Sequence, residues 1–241
     1  MAPSELLSAA RRRLAPCARW PVSAGHVEPS LLSAVAIAPS QRLLDIALNA
    51  AARARSIDLS SLVARSADGY ANVWPGEHYR LLAALVAVLS PKTVVEIGTA
   101  TGLSALAMKS TLPEDGRIVT FDLMPWKGYS QYSGGILEDA DFGDGRLEQR
   151  LEDLSTQGGW QQNAELLREA DFIFVDAKHD GAQEREFLRA FDEVGLAGAP
   201  IVVFDDIRVW GMLSFWQGIE RPKLDLTSFG HWSGTGLVDY A

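Results

Sequence analysis

Thr93-Val94-Val95-Glu96-Ile97-Gly98-Thr99-Ala100-Thr101-Gly102 reads as a short strand ending near an acid, a glycine-rich turn and the start of a helix. Thr93, Val94, Val95 and Ile97 are β-branched, which favours a strand enclosed on both faces. Leu103, Leu106 and Ala107 follow at helical spacing on one side. Gly98 and Gly102 let the backbone turn tightly and approach a ligand where a Cβ would collide. A nucleotide-like cofactor suits such a turn.

The surrounding chain supports this reading. The dinucleotide fingerprint G-x-G-x-x-G and the P-loop ending G-K-S/T are both missing from this turn. About 20 residues on, Arg117-Ile118-Val119-Thr120-Phe121-Asp122 is a second β-rich run closing on an acid, suited to the two hydroxyls of a ribose. From Thr93 onward strand and helix patterns alternate, as a doubly wound sheet demands. Strands are expected at 93–98, 117–122, 146–151, 172–177, 200–206, 224–230 and 236–240. Only the turn beginning Gly230-His231-Trp232 separates the last two, so they should pair as an antiparallel hairpin. The fold class is therefore α/β, with seven mostly parallel strands.

Upstream of residue 90 there is no convincing strand. The apolar run 31–38 is bounded by Pro29 and Pro39. Ser40 is placed to cap a helix carrying Leu43, Leu44, Ile46 and Leu48. A short helix is expected from Asp58, a loop at Trp74-Pro75-Gly76, and a third helix over 77–89 ended by Ser90-Pro91. We therefore divide the chain into an N-terminal helical extension, 1–74, and a cofactor-binding domain, 75–241. The apolar residues of the first helix predict a homodimer through that extension.

Ligands of open α/β sheets bind beyond the carboxyl ends of the strands. Those ends carry Glu96, Asp122, Glu152, Asp176, Asp205 and Asp206. Asp171-Phe172-Ile173-Phe174-Val175-Asp176 and Ile201-Val202-Val203-Phe204-Asp205-Asp206 should be neighbouring strands. Three carboxylates meeting at their ends repel one another unless a cation or proton lies between them. Hard oxygen ligands suit Mg²⁺, Mn²⁺ or Ca²⁺. Asp205 and Asp206 can share a metal only if the strand ends between them; otherwise Asp206 is a helix cap. His179 lies near the proposed site; His78, just before the sheet, reads either as facing the cofactor or, preferentially, as an exposed first-turn residue, and His26 and His231 carry no pattern. Trp210, Phe215 and Trp216 read as core or as an acceptor wall, and Trp126, Tyr129 and Tyr132 as a lid.

Composition narrows the function further. A net charge of −9 and a pI near 4.9 argue against wrapping a phosphate backbone, so no nucleic-acid partner is expected. The single cysteine, Cys17, excludes an internal disulfide and suits a reducing cytoplasm. The apolar stretch 81–89 is too short to span a bilayer, and no apolar signal core follows Arg11-Arg12-Arg13. A cytoplasmic protein without membrane contact is expected.

E-x-G-x-x-x-G at Glu96 to Gly102 resembles the first motif of class I methyltransferases that use S-adenosylmethionine. The resemblance covers residues from about 75 to the end. It implies that Glu96, Gly98, Gly102 and Ser104 hold the methionine portion, Asp122 the ribose and Glu152 the adenine. Thr99 and Asp176 are also counted among the cofactor-binding residues. The acid after the fourth strand and the acid pair after the fifth resemble metal-dependent O-methyltransferases of the catechol, caffeoyl-coenzyme A and macrocin types. This implies a Mg²⁺-like ion on Asp176, Asp205 and Asp206 and a small hydroxylated acceptor. Where the plant enzymes have a lysine three positions after the first acid, this chain has His179, with Lys178 one position earlier. Either could accept the substrate proton, with His179 favoured because its ordinary pKa lies nearer neutrality. Rival readings are a metal-independent N- or C-methyltransferase and a non-catalytic cofactor-binding subunit.

Overall fold

β1 (Thr93–Ile97) is buried at every position and lies in the interior of the sheet, as its four β-branched residues favour. The computed structural model describes residues 37–66, 71, 77–129 and 135–241. Expectations about residues 31–36, the Trp74-Pro75-Gly76 loop, Cys17, His26 and Tyr132 lie outside the described residues. β1 is flanked by β2 (Arg117–Phe121) and β4 (Phe172–Val175), followed outward by β3 (Leu147–Arg150) and β5 (Ile201–Asp205). These five strands are parallel. β6 (Lys223–Asp225) and β7 (Thr235–Asp239) complete the seven-stranded order 3-2-1-4-5-7-6, with β7 antiparallel to both β5 and β6. The expected hairpin forms. β6 is shorter than its sequence pattern because Leu226 to Gly230 closes into a turn, with both Phe229 N–H and Gly230 N–H donating to the Leu226 carbonyl.

Helices α1 (Gln41–Ala54), α2 (Ser60–Arg65) and α3 (His78–Leu89) precede the sheet. Ser40 caps α1, its hydroxyl accepting from Leu43 N–H at 3.0 Å, and α3 ends at Ser90 in a left-handed conformation before Pro91. A compact unit begins at Ala38, so α1 and α2 belong to the same unit as the sheet, and the boundary expected near residue 74 falls inside it. α1 packs on α3 through buried Leu43, Ala47, Ala50 and Ala54. That packing removes much of the surface on which the homodimer expectation rested. Leu43 is core, Leu44 and Ile46 are half-buried, and only Leu48 stands out at 64% exposure.

Further helices are α4 (Leu103–Lys109), α5 (Trp126–Tyr129), α6 (Gln157–Gln162), α7 (Ala164–Glu169), α8 (Ala182–Val194) and α9 (Met212–Gly218). α9 buries Met212, Phe215 and Trp216, placing that part of the aromatic stretch in the core. No helix among the described residues is long and apolar enough to cross a membrane.

Candidate active site

The parallel strands carry their chain ends to one edge, where a cavity of about 460 Å³ opens. This volume falls within the usual range of small-molecule and cofactor pockets, roughly 300–1,000 Å³. Gly98 and Ala100 after β1, Asp122 after β2, Glu152 after β3 and Asp176 with His179 after β4 all line it. Gly98 has φ +106°, and a Cβ there would lie 1.8 Å from the Asp176 carbonyl oxygen. Only glycine lets β1 turn against β4 at this point. Gly102, at φ +84°, begins α4.

Asp122 holds the turn in place. Its carboxylate accepts Ala100 N–H at 2.9 Å and Met124 N–H at 3.0 Å, while the residue faces the cavity. Thr99 is tied inward, its hydroxyl 2.7 Å from that of Thr120 and accepting from Gln149 Nε2 at 3.1 Å. Ser104 is buried in α4, beside Glu96. Glu152 accepts from Asn163 and Gln162, so it is positioned by side chains of α6 and the turn after it. Glu96 is completely buried, and neither of its oxygens has a well-formed hydrogen bond. Burial pushes its carboxyl up to about 8, the Ser104 and Thr120 hydroxyls opposing and the charges of Asp176 and Asp122 adding to the rise.

A second cluster extends from the Asp176 side of this cavity. β5 ends at Asp205, and Asp206 is left-handed at φ +55°, a conformation aspartate tolerates. The strand therefore ends between the two acids. α9 does not begin until Met212, so Asp206 is no helix cap. Both carboxylates approach His231 Nε2, Asp205 Oδ1 at 2.5 Å and Asp206 Oδ1 at 3.8 Å. Asp206 Oδ2 is 3.7 Å from His179 Nε2, which pairs with Asp176 Oδ1 at 3.1 Å. The three predicted acids are thus joined by two imidazoles.

His179 is held at φ +57° by buried Glu184, which accepts His179 N–H at 2.9 Å and Gly181 N–H at 2.8 Å. Burial opposes its charge, but the Asp176 hydrogen bond and the neighbouring acids prevail and raise it to about 9. The premise that His179 sits near neutrality is corrected: in this arrangement the ring carries its proton into the ion pair. Lys178 lies along the cavity, its mostly exposed ammonium paired with Asp180 at 2.8 Å.

His231 escaped the sequence reading, and for His78 the less favoured of its two readings, the inward-facing one, is nearer the structure. His78 is buried rather than exposed, with Nδ1 3.9 Å from Asp205 Oδ1 and without a hydrogen-bond partner. Burial, then the charge of His231, holds it well below the usual histidine range. His231 is buried between Asp205 and the Ser233 hydroxyl, which lies 2.6 Å from Nδ1. Burial lowers its pKa, but the Asp205 bond outweighs this and the net shift is upward. Asp205 itself is pushed up, by burial first and then by the charge of Asp176. Trp210, 80% exposed, stands with its ring centroid 6.2 Å from that of His179.

A mostly parallel seven-stranded sheet with an antiparallel β7, and a glycine turn opening on a cofactor-sized cavity, define a class I-type methyltransferase fold. The O-methyltransferase family model matches residues 59–207, and the chain belongs to that family of S-adenosylmethionine-dependent enzymes. A putative O-methyltransferase of Mycobacterium sp. (strain JLS) is 33% identical over 179 residues, covering 73% of this chain and 71% of the relative. Caffeoyl-CoA O-methyltransferase 2 of Petunia hybrida is 30% identical over 113 residues, covering 42% of this chain and 41% of the plant enzyme. The S-adenosylhomocysteine-bound methyltransferase of Podospora anserina shares the fold at a TM-score of 0.50 and 18% identity, covering 80% of this chain and 87% of its own.

Proposed function

We propose that this enzyme methylates a hydroxyl group of a small molecule with the assistance of a divalent cation. The observation carrying this reading is the meeting of Asp176, Asp205 and Asp206 around His179 and His231, beside the cofactor cavity. The donor chemistry suits a divalent ion: three carboxylates are linked through His179 and His231, and Oδ1 of Asp206 is buried without a hydrogen-bond partner. Asp176, Asp205 and Asp206 would hold the cation, which when bound supplies a Lewis acid that lowers the pKa of an acceptor hydroxyl. S-adenosylmethionine supplies an electrophilic methyl group, so the protein's main task is alignment of the two reactants.

The residues divide that task. The Gly98 turn and Glu96, Thr99, Gly102 and Ser104 shape the methionine end, Asp122 the ribose and Glu152 the adenine. His179 holds a proton on Nε2 between Asp176 and Asp206 and must lose it before it can act as a base. Exposed Trp210 beside His179 offers a flat apolar face to the acceptor. The plant relative's name supports a phenolic acceptor, and vicinal diols are the natural first screen.

The test is product detection with labelled S-adenosylmethionine and a vicinal-diol panel, with and without chelator. Chelation should abolish methyl transfer while S-adenosylhomocysteine binding persists. Full activity after chelation would overturn metal assistance. It would favour a second reading, in which the His179 imidazolium is the internal counter-cation of Asp176 and Asp206.

A further inference from the structure

We infer that the metal centre is a mixed nitrogen–oxygen site, in which His78 Nδ1 and His231 Nε2 join Asp205 and select a transition ion over Mg²⁺. The inference rests on the divalent-cation reading above and concerns which ion that site takes.

The ligand atoms of His78, Asp205 and His231 all lie within 4.8 Å of one another, and all three residues are buried. His78 Nδ1 is an interior nitrogen with no hydrogen-bond partner, 3.9 Å from Asp205 Oδ1. Interior polar atoms are nearly always paired, so an unpaired one directed at a carboxylate and a second imidazole points to an absent partner. The two rings stand edge to face at 83°, their centroids 4.4 Å apart, which lets both nitrogens address one point without stacking.

The surroundings of His231 suit ligation. Ser233 Oγ lies 2.6 Å from its Nδ1 and can accept that N–H, leaving Nε2 with a free lone pair. Metal-bound histidines are commonly oriented by such an outer hydrogen bond. The 2.5 Å contact of Nε2 with Asp205 would open to roughly 3.3 Å, the ligand–ligand spacing of a tetrahedral Zn²⁺-sized ion, with the ion replacing the shared proton. Asp206 Oδ1, also buried and unpartnered, is 3.8 Å from the same Nε2 and can supply a fourth donor.

Donor chemistry then sets the choice of ion. Mg²⁺ demands oxygen ligands and keeps much of its water, whereas imidazole suits Zn²⁺, Co²⁺, Fe²⁺ and Ni²⁺. Two imidazoles in a closed interior therefore favour the transition ions. The chain brings these donors together from the start of α3, the end of β5 and the turn before β7.

The test uses the full chain stripped by chelator, with S-adenosylhomocysteine present and Co²⁺ as the probe. Co²⁺ should bind about 100-fold or more tightly than Mg²⁺. His78→Ala and His231→Ala should each weaken Co²⁺ about tenfold or more, while changing Mg²⁺ affinity less than about twofold. Because either variant could fail to fold, wild-type Co²⁺ protein provides an independent readout. It should show two exchangeable, hyperfine-shifted imidazole N–H resonances. Displacement of Co²⁺ by equimolar Mg²⁺, or a spectrum lacking imidazole signals, overturns the inference. Co²⁺ binding with both signals but chelator-resistant methyl transfer would preserve this site and defeat only metal-assisted catalysis.

Discussion

Nε2 of His179 lies 3.1 Å from Oδ1 of Asp176, and this pair joins the cofactor cavity to the acid cluster. The ion pair raises the imidazole to about 9 against the opposing effect of burial. Because the folded value exceeds the ordinary histidine value near 6.5, the stabilisation is complete below that pH and disappears as pH rises through about 9. In metal-free protein the His179 ring resonances should therefore titrate near pH 9 by NMR. Asp176→Asn should move that midpoint downward by more than one unit. A midpoint near 6.5 in the wild type would remove the pair from the argument.

Gly98→Ala and Gly102→Ala should differ in severity for a geometric reason. The new Cβ at Gly98 meets the rigid Asp176 backbone carbonyl at 1.8 Å, whereas at Gly102 it meets the Leu137 side chain, nearest atom 2.2 Å, which can rotate away. Both positions also carry positive φ. We expect about 3 kcal/mol or more of lost stability for Gly98→Ala and about 1–2 kcal/mol for Gly102→Ala. Chemical denaturation of the two variants measures the order, and the reverse order would contradict this account of the turn.

Most of the sheet was legible because its strands are buried β-branched runs separated by helices and turns. Residues 93–97 and 201–205 show this plainly, each an apolar run ending at or near an acid. The acid positions followed from the rule that ligands gather at the carboxyl ends of parallel strands. His231 was not legible from spacing, since no local pattern links it to Asp205. Its position follows from topology: β7 inserts beside β5 with Thr235 opposite Asp205, so the turn before Thr235 must overhang the β5 end. His78 reaches the same place because Glu77 N–H donates to the Phe229 carbonyl at 3.1 Å, tying the start of α3 to that turn. The second of these links joins residues 77 and 229, far apart in the chain. Trp210 does not share the helix of Phe215 and Trp216, because the turn after β5 runs on to Gly211 before α9 begins.

Glu96 should leave a pH signature in the apo protein. Burial raises its carboxyl to about 8, far above the ordinary glutamate value. A raised acid favours the fold in its protonated form, so its contribution is complete at acidic pH and is lost as pH rises through about 8. Denaturant midpoints should accordingly fall between pH 6 and pH 9 in the wild type. The near-isosteric Glu96→Gln variant removes the ionisation and should show a shallower decline over the same interval. Equal slopes would mean that Glu96 is already ionised in the folded protein.

Asp122 performs two tasks, and its variants should separate them. The carboxylate anchors the backbone of Ala100 and Met124, and it faces the cavity where the ribose is expected. Asp122→Ala removes the anchors and the hydroxyl acceptor together. It should weaken S-adenosylhomocysteine binding by roughly 1.5–3 kcal/mol, the scale of a lost charge-assisted hydrogen bond. Asp122→Asn retains one amide oxygen, enough for a backbone N–H but without the charge, and should fall between wild type and alanine. Calorimetry on both variants, with thermal melts of the unliganded proteins, distinguishes the roles. Weakened binding with little change in melting temperature points to direct ribose contact, whereas parallel losses point to the loop anchor. Unchanged affinity in Asp122→Ala would show that the ribose acid lies elsewhere.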